Sequence, residues 1–322
     1  MANIEYRTLG RSGLIVSTVG LGCNNFGRKD TATETQEGTD AVIGAAIDAG
    51  VTFFDTADIY GKERGLSETL MGKALEGKRD RIVLATKFGM DMAGVNGPDW
   101  GVRGSRRYIR LAVESSLRRL RTDWIDLYQL HRPDPHTPIE ETLATLDDLI
   151  AEGKIRYIGH SNLSGWEIAE AEFTAQLGGH PKFISAQNEY SLLVRDAERE
   201  VLPAANRYGL GFLPYFPLYN GLFTGKFTRE GGPADSRIMQ LRKHLLDEAP
   251  WDRIERFQAF CDDRDVSMLA ATFAWLLAQP GLTSVIAGAT KPEQIVANAE
   301  AATAWQPTPD EVAAISEIFA VA

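Results

Sequence analysis

The sequence predicts an α/β fold, a closed (β/α)8 TIM barrel with an N-terminal β-hairpin and long loops at its C-terminal rim. Three observations carry that expectation. Eight short apolar runs recur along the 322 residues, most of them spaced by about 30 residues, the size of a βαβ unit. Helical patterns fill the intervals, and alternating strands and helices imply a parallel sheet. Eight such units point to a closed barrel rather than an open sheet. An open doubly wound sheet is the runner-up, but no G-x-G-x-x-G follows the first run. Barrels of this kind commonly exceed the average domain in length, so residues 1–322 read as one domain.

The elements follow in order. Tyr6-Arg-Thr-Leu-Gly10-Arg-Ser-Gly13-Leu-Ile-Val-Ser17 has two β-prone pieces around a Gly/Ser turn, a hairpin signal. Strand-like runs then fall at 19–22, 51–54, 82–85, 125–130, 155–158, 183–186, 210–213 and 284–287. The clearest helix is 138–152, with Ile139, Leu143, Leu146 and Ile150 on one face. Thr137 is its expected N-cap, Pro138 fits the first turn, Glu140 stands where a capping box needs it, and Gly153 ends the helix. Ser164…Glu167 and Thr290…Glu293 repeat the capping-box spacing. Thr308-Pro309-Asp310-Glu311 opens a last helix over 308–319. Two connections exceed the repeat: a glycine-rich 88–104 and a long, irregular 216–250. Both follow strands and so belong over the C-terminal rim, where loops of this length are usually functional.

Composition narrows the function. An apolar fraction of 44% suits a globular protein with a substantial core. A net charge of −10 argues against a nucleic-acid partner, which calls for clustered Lys and Arg. Cys23 and Cys261 have no metal, redox or disulfide spacing. The opening Met-Ala-Asn-Ile-Glu-Tyr-Arg lacks the apolar segment of a signal peptide, and no run is long enough to span a bilayer. The expectation is a soluble protein of the reducing cytoplasm, without a membrane partner.

The chemistry gathers at strand ends. Val51-Thr-Phe-Phe-Asp55 closes a buried run with a carboxylate, and Tyr60 follows in the next loop. The run 82–85 leads into Lys87, and Ile125-Asp-Leu-Tyr-Gln-Leu130 leads into His131. In parallel barrels that rim carries the chemistry. Taken singly, a strand-end Lys or Asp is more often a solvated or paired charge; four together suit protonation of an oxygen gaining negative charge. Tyr60 would be the acid, helped by the Lys87 ammonium, which favours phenolate. Asp55 would keep Lys87 charged and aimed, and His131 would orient a carbonyl oxygen. No H-x-H or H-E-x-x-H occurs, so no metal is expected. Phe26, Ile59, Trp100 and Tyr219, on rim loops, are the expected substrate contacts, with loop packing the competing reading.

Asp-Thr-Ala-Asp-Ile-Tyr-Gly, the strand-end Lys87 and Leu-Tyr-Gln-Leu-His131 resemble the aldo-keto reductase signatures. The likeness runs from Arg-Thr-Leu-Gly-Arg-Ser-Gly-Leu to Gly288-Ala-Thr-Lys-Pro-Glu-Gln and includes the potassium-channel β-subunit-like branch. It implies nicotinamide-dependent reduction of an aldehyde or ketone to an alcohol, with a small carbonyl or alcohol as substrate. By the same resemblance Ser161, Asn162 and Gln187 hold the nicotinamide carboxamide, and Tyr215 stacks on its ring. Pro217, Leu218, Gly221, Thr224 and Lys226 form the pyrophosphate clasp, with Arg237 adding charge. Gly288, Thr290, Lys291, Gln294 and Asn298 fall where the family holds the adenosine 2′-phosphate and adenine. A helix N-terminus with Lys291 favours an anion, which implies NADPH over NADH. Ala289 and Ala297 replace polar contacts found in many members and leave NADH open. His160 replaces the commoner apolar residue before Ser-Asn, and packing behind His131 is its expected role. Phe216 and Tyr219 stand where small residues are common, so the clasp is expected to sit differently. His136, His180 and His244 read as surface residues.

Two other functions fit the fold. Potassium-channel β subunits resemble this family, so an NADP(H)-binding regulatory subunit with little turnover is the alternative. A Schiff-base aldolase or isomerase would need Lys87 free of a carboxylate partner. Monomer and homo-oligomer fit the sequence equally.

Overall fold

A hairpin, then eight staves: the expected order is the observed one. The computed structural model describes residues 4–234 and 236–320, so Met-Ala-Asn of the opening segment lies outside the described residues. Strands β1 (Tyr6–Thr8) and β2 (Ile15–Ser17) pair antiparallel. Strands β3 (Val19–Gly22), β4 (Phe53–Asp55), β5 (Val83–Phe88), β6 (Ile125–Leu130), β7 (Ile155–Ser161), β8 (Ser185–Gln187), β9 (Gly211–Phe212) and β10 (Val285–Gly288) form one parallel sheet. Its spatial order is β10-β3-β4-β5-β6-β7-β8-β9. The far edges also meet. Phe212 donates its N–H to the Gly281 carbonyl at 2.8 Å, and Thr283 donates to the Phe212 carbonyl at 2.9 Å. The residues leading into β10 therefore join β9, and the sheet curls into a barrel.

Strand side chains alternate between faces, and this alternation builds the site. Phe53, Ala85, Leu127, Leu213 and Ile286 pack inside the barrel with Leu9 and Val16 of the hairpin. Phe54, Leu84, Tyr128 and Ile158 belong instead to the outer core, under the helices. Two residues up from Phe53, Ala85 and Leu127 stand Asp55, Lys87 and Gln129. A polar layer thus caps an apolar plug. The hairpin closes the other end, where the Arg11 N–H donates to the Gly209 carbonyl at 2.8 Å. Gly10 (φ 59°) is required there, since a Cβ would lie 2.6 Å from three backbone atoms of 184–211.

Helix starts follow the sequence with two corrections. Ser164 and Glu167 form the expected box on Gly165–Gly178, the carboxylate accepting from the Ser164 N–H at 2.8 Å. Thr308 and Glu311 do the same for Pro309–Ile318. For Ile139–Ala151, however, the N-cap is Pro138, not Thr137, and Glu140 makes no box. The Thr137 hydroxyl instead donates to the Asp134 carboxylate at 2.7 Å, a charge-assisted bond outside the helix. Pro292–Ala301 likewise starts one residue later than Thr290…Glu293 implies: Lys291 is the N-cap. Gln294 Oε1, not Glu293, accepts from the Thr290 N–H at 2.7 Å and the Lys291 N–H at 3.3 Å. The connection 216–250 is less irregular than expected, holding the short helices Arg237–Leu241 and His244–Asp247. Among the described residues no helix is long and apolar enough to cross a membrane.

Candidate active site

All eight strands run the same way, so their C-terminal ends share one rim. Lys87 lies at its centre, fully buried, its Nζ 2.8 and 2.7 Å from the two Asp55 oxygens and 2.8 Å from the Thr56 carbonyl. Asp55 Oδ1 also accepts from Gln187 Nε2 at 2.9 Å and from Gln129 Nε2 at 3.2 Å. Side chains from three other staves, β5, β6 and β8, hold one carboxylate. Gly159 makes the room, because a Cβ there would lie 2.2 Å from Ser185 Oγ and 3.2 Å from the Gln129 side chain.

Tyr60 lies over this pair. Lys87 Nζ is 5.2 Å from the centroid of its ring, and the His131 ring meets it edge-on at 5.9 Å and 87°. The four expected residues therefore converge. Burial opposes the Lys87 charge, but the Asp55 carboxylate and the Tyr60 phenol more than restore it, so its pKa rises. Burial pushes the Tyr60 phenol up, with the Lys87 ammonium pulling the other way and Asp55 adding to the rise. The Lys87 ammonium thus acts on the phenol in the expected direction, against a burial that works the other way. Burial holds His131 well below the ordinary imidazole range, helped by the Lys87 and Arg132 charges. At neutral pH its imidazole is uncharged and can donate one N–H. The Schiff-base alternative fails its own condition, because Lys87 has a carboxylate partner.

The next staves continue the polar layer. Ser161 Oγ donates to the Gln187 carbonyl at 2.7 Å. Asn162, at φ 64°, donates to the His131 carbonyl at 3.0 Å and accepts from the Tyr215 hydroxyl at 2.9 Å. Tyr215 is thereby fixed against His131 through one amide. Beyond it the clasp departs from ordinary backbone: Phe216, Tyr219 and Asn220 have φ of 51°, 46° and 60°, a region bulky L-residues avoid. Strain of this kind persists where surrounding structure enforces it and marks functional loops. Pro217 is buried, Leu218 and Gly221 are partly exposed, and Thr224 donates to the Gly221 carbonyl at 2.6 Å. Lys226 is exposed, whereas Arg237 is partly buried, its Nε without an acceptor. Gly288 ends β10 beside Asn25. Thr290, Lys291 and Gln294 form the helix start described above. Asn298 is only 5% exposed and offers a ligand little surface.

The expected substrate residues differ widely in exposure. Phe26 is wholly buried in the outer core, so loop packing is its role and not a pocket wall. Trp100 is 72% exposed, with the Arg107 guanidinium 4.2 Å above its ring. Ile59 and Tyr219 are half-buried at the rim. His160 points to the helix side of β7, buried edge-on to Phe183 at 5.2 Å. Of the other histidines, His136 and His244 are exposed, and His180 meets Asp147 at 3.4 Å.

Sequence reasoning missed the support beneath the Tyr60 loop. Glu68 is fully buried, accepting from Thr86 Oγ1 at 2.6 Å and Arg119 Nε at 2.7 Å. Arg119 donates on to Asn96 at 2.9 Å, and Asn96 donates to buried Asp58 at 2.9 Å. Thr86 and Asp58 flank Lys87 and Tyr60, so this network ties both to the helix Arg106–Leu120. Gln129 was also missed, although its register opposite Lys87 was readable from the strand period. A shallow cleft of about 540 Å3 lined by Tyr6, Arg11, Asn206 and Thr283 lies at the hairpin end and contains none of these residues.

Residues 18–320 match the model of the aldo/keto reductase family. An oxidoreductase of Bacillus subtilis, YrpG, itself uncharacterized, is 39% identical over 91% of this chain and 89% of its own length. A probable voltage-gated potassium channel subunit beta of rice (Oryza sativa subsp. japonica) is 36% identical over 92% and 91%. The versiconal hemiacetal acetate reductase of Aspergillus parasiticus is 34% identical over 98% and 97%.

Proposed function

The chain belongs to the aldo/keto reductase family, and from that premise we propose that it is an NADPH-dependent oxidoreductase reversibly reducing an aldehyde or ketone to an alcohol. The observation that carries this reading is the buried Lys87–Asp55 pair beneath the Tyr60 ring. The residues present fit a nicotinamide dinucleotide: a polar strip at Ser161, Asn162 and Gln187, and a buried Arg237 Nε without an acceptor. When bound, the reduced nicotinamide supplies a hydride. The chain's own residues do the rest. Tyr60, protonated at neutral pH, gives its proton to the carbonyl oxygen as charge develops there. The Lys87 ammonium, held by Asp55, stabilises the phenolate left behind. His131, uncharged, donates an N–H that orients the substrate oxygen and does not compete as the acid.

Tyr60→Phe tests the assignment. A general acid typically contributes 10²–10⁴-fold, so kcat should fall by about that factor while NADPH binding, followed by fluorescence, persists. Near wild-type turnover would remove Tyr60 from the role. Preference for NADPH rests on Lys291 at the start of Pro292–Ala301. Lys291→Ala should weaken NADPH by about tenfold and leave NADH unchanged, read as the ratio of the two Kd values. Equal loss for both would move the 2′-phosphate elsewhere. Two buried free thiols, Cys23 and Cys261, suit the cytoplasm.

The rice relative's name favours one alternative, an NADP(H)-binding regulatory subunit. NADPH binding with no turnover across a panel of small aldehydes would select it.

A further inference from the structure

Three arginines from two loops lie within electrostatic reach of one another at the rim. Arg28 follows β3, on the turn whose Gly27 carbonyl accepts from the Lys62 N–H at 2.8 Å, two residues past Tyr60. Arg237 and Arg242 come from the connection after β9. Both guanidiniums flank the Phe216 ring, at 5.6 and 5.5 Å from its centroid. Phe216 meets Tyr215 edge-on at 5.3 Å and is held at a left-handed φ, so the aromatic between the two cations is fixed to the rim. Like charges do not assemble without a reason. Among the described residues no carboxylate forms an ion pair with any of the three. The Nε atoms of Arg28 and Arg237 are buried without an acceptor, and Arg28 bonds only the neutral Asn25 amide, at 2.7 Å. Burial and mutual repulsion lower the Arg237 pKa to about 10, and Arg28 falls for the same two causes. Glu189 stands within electrostatic reach of Arg242, yet burial raises its own pKa.

We propose that Arg28 and Arg242 complete, with Arg237, one anion site that bridges the two rim loops and takes a phosphate or carboxylate group of a ligand bound over Tyr60. The inference rests on the oxidoreductase reading for its ligand, but not for its charge. Two sources carry the group: the dinucleotide's phosphates, or an anionic carbonyl substrate. Planar guanidiniums suit either, each able to donate two parallel hydrogen bonds. Without the anion the three guanidiniums repel one another; with it each gains an acceptor of opposite charge.

The test uses Arg28→Gln, Arg242→Gln and the double variant, checked for an unchanged melting temperature. NADPH Kd is measured by fluorescence, and kcat/KM is compared for 4-carboxybenzaldehyde and benzaldehyde. If the dinucleotide is the source, the double variant should weaken NADPH by about tenfold or more and affect both aldehydes alike. If the substrate is the source, NADPH binding should hold while 4-carboxybenzaldehyde alone loses about tenfold. Folded variants within about twofold of wild type in every reading would overturn the site. Inorganic pyrophosphate separates this from failure of the functional reading. A wild type that reduces neither aldehyde sinks the reading, while pyrophosphate raising the melting temperature of wild type but not of the double variant still supports the site.

Discussion

Replacing Asp55 with Asn removes one charge and keeps the shape. In the native site its two oxygens accept four bonds: 2.8 and 2.7 Å from Lys87, 2.9 Å from Gln187 and 3.2 Å from Gln129. All four come from donors, so an amide NH2 at this position must face at least one of them. Lys87 keeps the Thr56 carbonyl, but its ammonium loses the only carboxylate in contact with it among the described residues. Removing one partner of a buried pair costs about 3–5 kcal/mol; with one amide oxygen retained, about 3 kcal/mol is expected. At about 2 °C per kcal/mol for a chain of this size, the melting temperature should drop by about 6 °C at pH 7.

The pH dependence carries the sharper test. In the native protein the Lys87 pKa is raised, so its contribution is complete below the unfolded value of about 10.5 and is lost only as pH rises through the folded value. In Asp55→Asn burial acts without its main opponent, and the folded pKa falls below the unfolded one. The unfolded state then binds more protons, and the variant gains stability as pH rises toward about 10.5. The gap between the two melting temperatures should therefore narrow from pH 7 to 10, read by scanning calorimetry. Equal melting temperatures at pH 7, or a gap that stays constant with pH, would refute the claim that Asp55 holds a buried ammonium.

Glu68→Ala should destabilise by about 3 kcal/mol in urea denaturation, leaving Arg119 and Thr86 without their shared acceptor, and should lower kcat because both flanks of the Tyr60–Lys87 pair loosen. His160, whose pKa burial lowers to about 3 and whose nitrogens lack partners, stays neutral in the fold where the unfolded chain takes a proton. Wild-type stability should thus fall by about 2 kcal/mol between pH 7 and 5 on this account, and His160→Leu should abolish that loss in urea titrations at the two pH values.

The strands were legible because burial on both faces leaves runs such as Ile125–Leu130 that no loop would carry. Strand-end chemistry was legible for the same reason: where an apolar run stops at Asp55 or Lys87, the rim begins. What escaped were partnerships set by three dimensions. Glu68 and Arg119 are separated by 51 residues, and Arg28 and Arg242 lie on different loops, so no local spacing signals that either pair interacts. Thr137 reads as a cap until Asp134 claims its hydroxyl. The burial that opposes the Lys87 pull on Tyr60 escaped as well, because a lysine neighbour is visible in a sequence and the degree of burial is not.

The same alternation that made the strands readable fixes the chemistry in place. Lys87 is interior because it is two residues above Ala85, and Thr86 between them faces the helices and Glu68. A slip of β5 by one residue would turn the ammonium toward the helices and bring Thr86 into the barrel, leaving Asp55 unpaired. The apolar plug below opposes that slip, since Val83 and Ala85 would leave the cluster formed with Phe53 and Leu127. Buried ion pairs are poor stabilisers by themselves, so Asp55 and Lys87 depend on that plug for their register. The hairpin belongs to the same device: Leu9 and Val16 complete the cluster from the opposite end. On this reasoning the proposed proton-transfer site is held at one end of the barrel by hydrophobic contacts at the other.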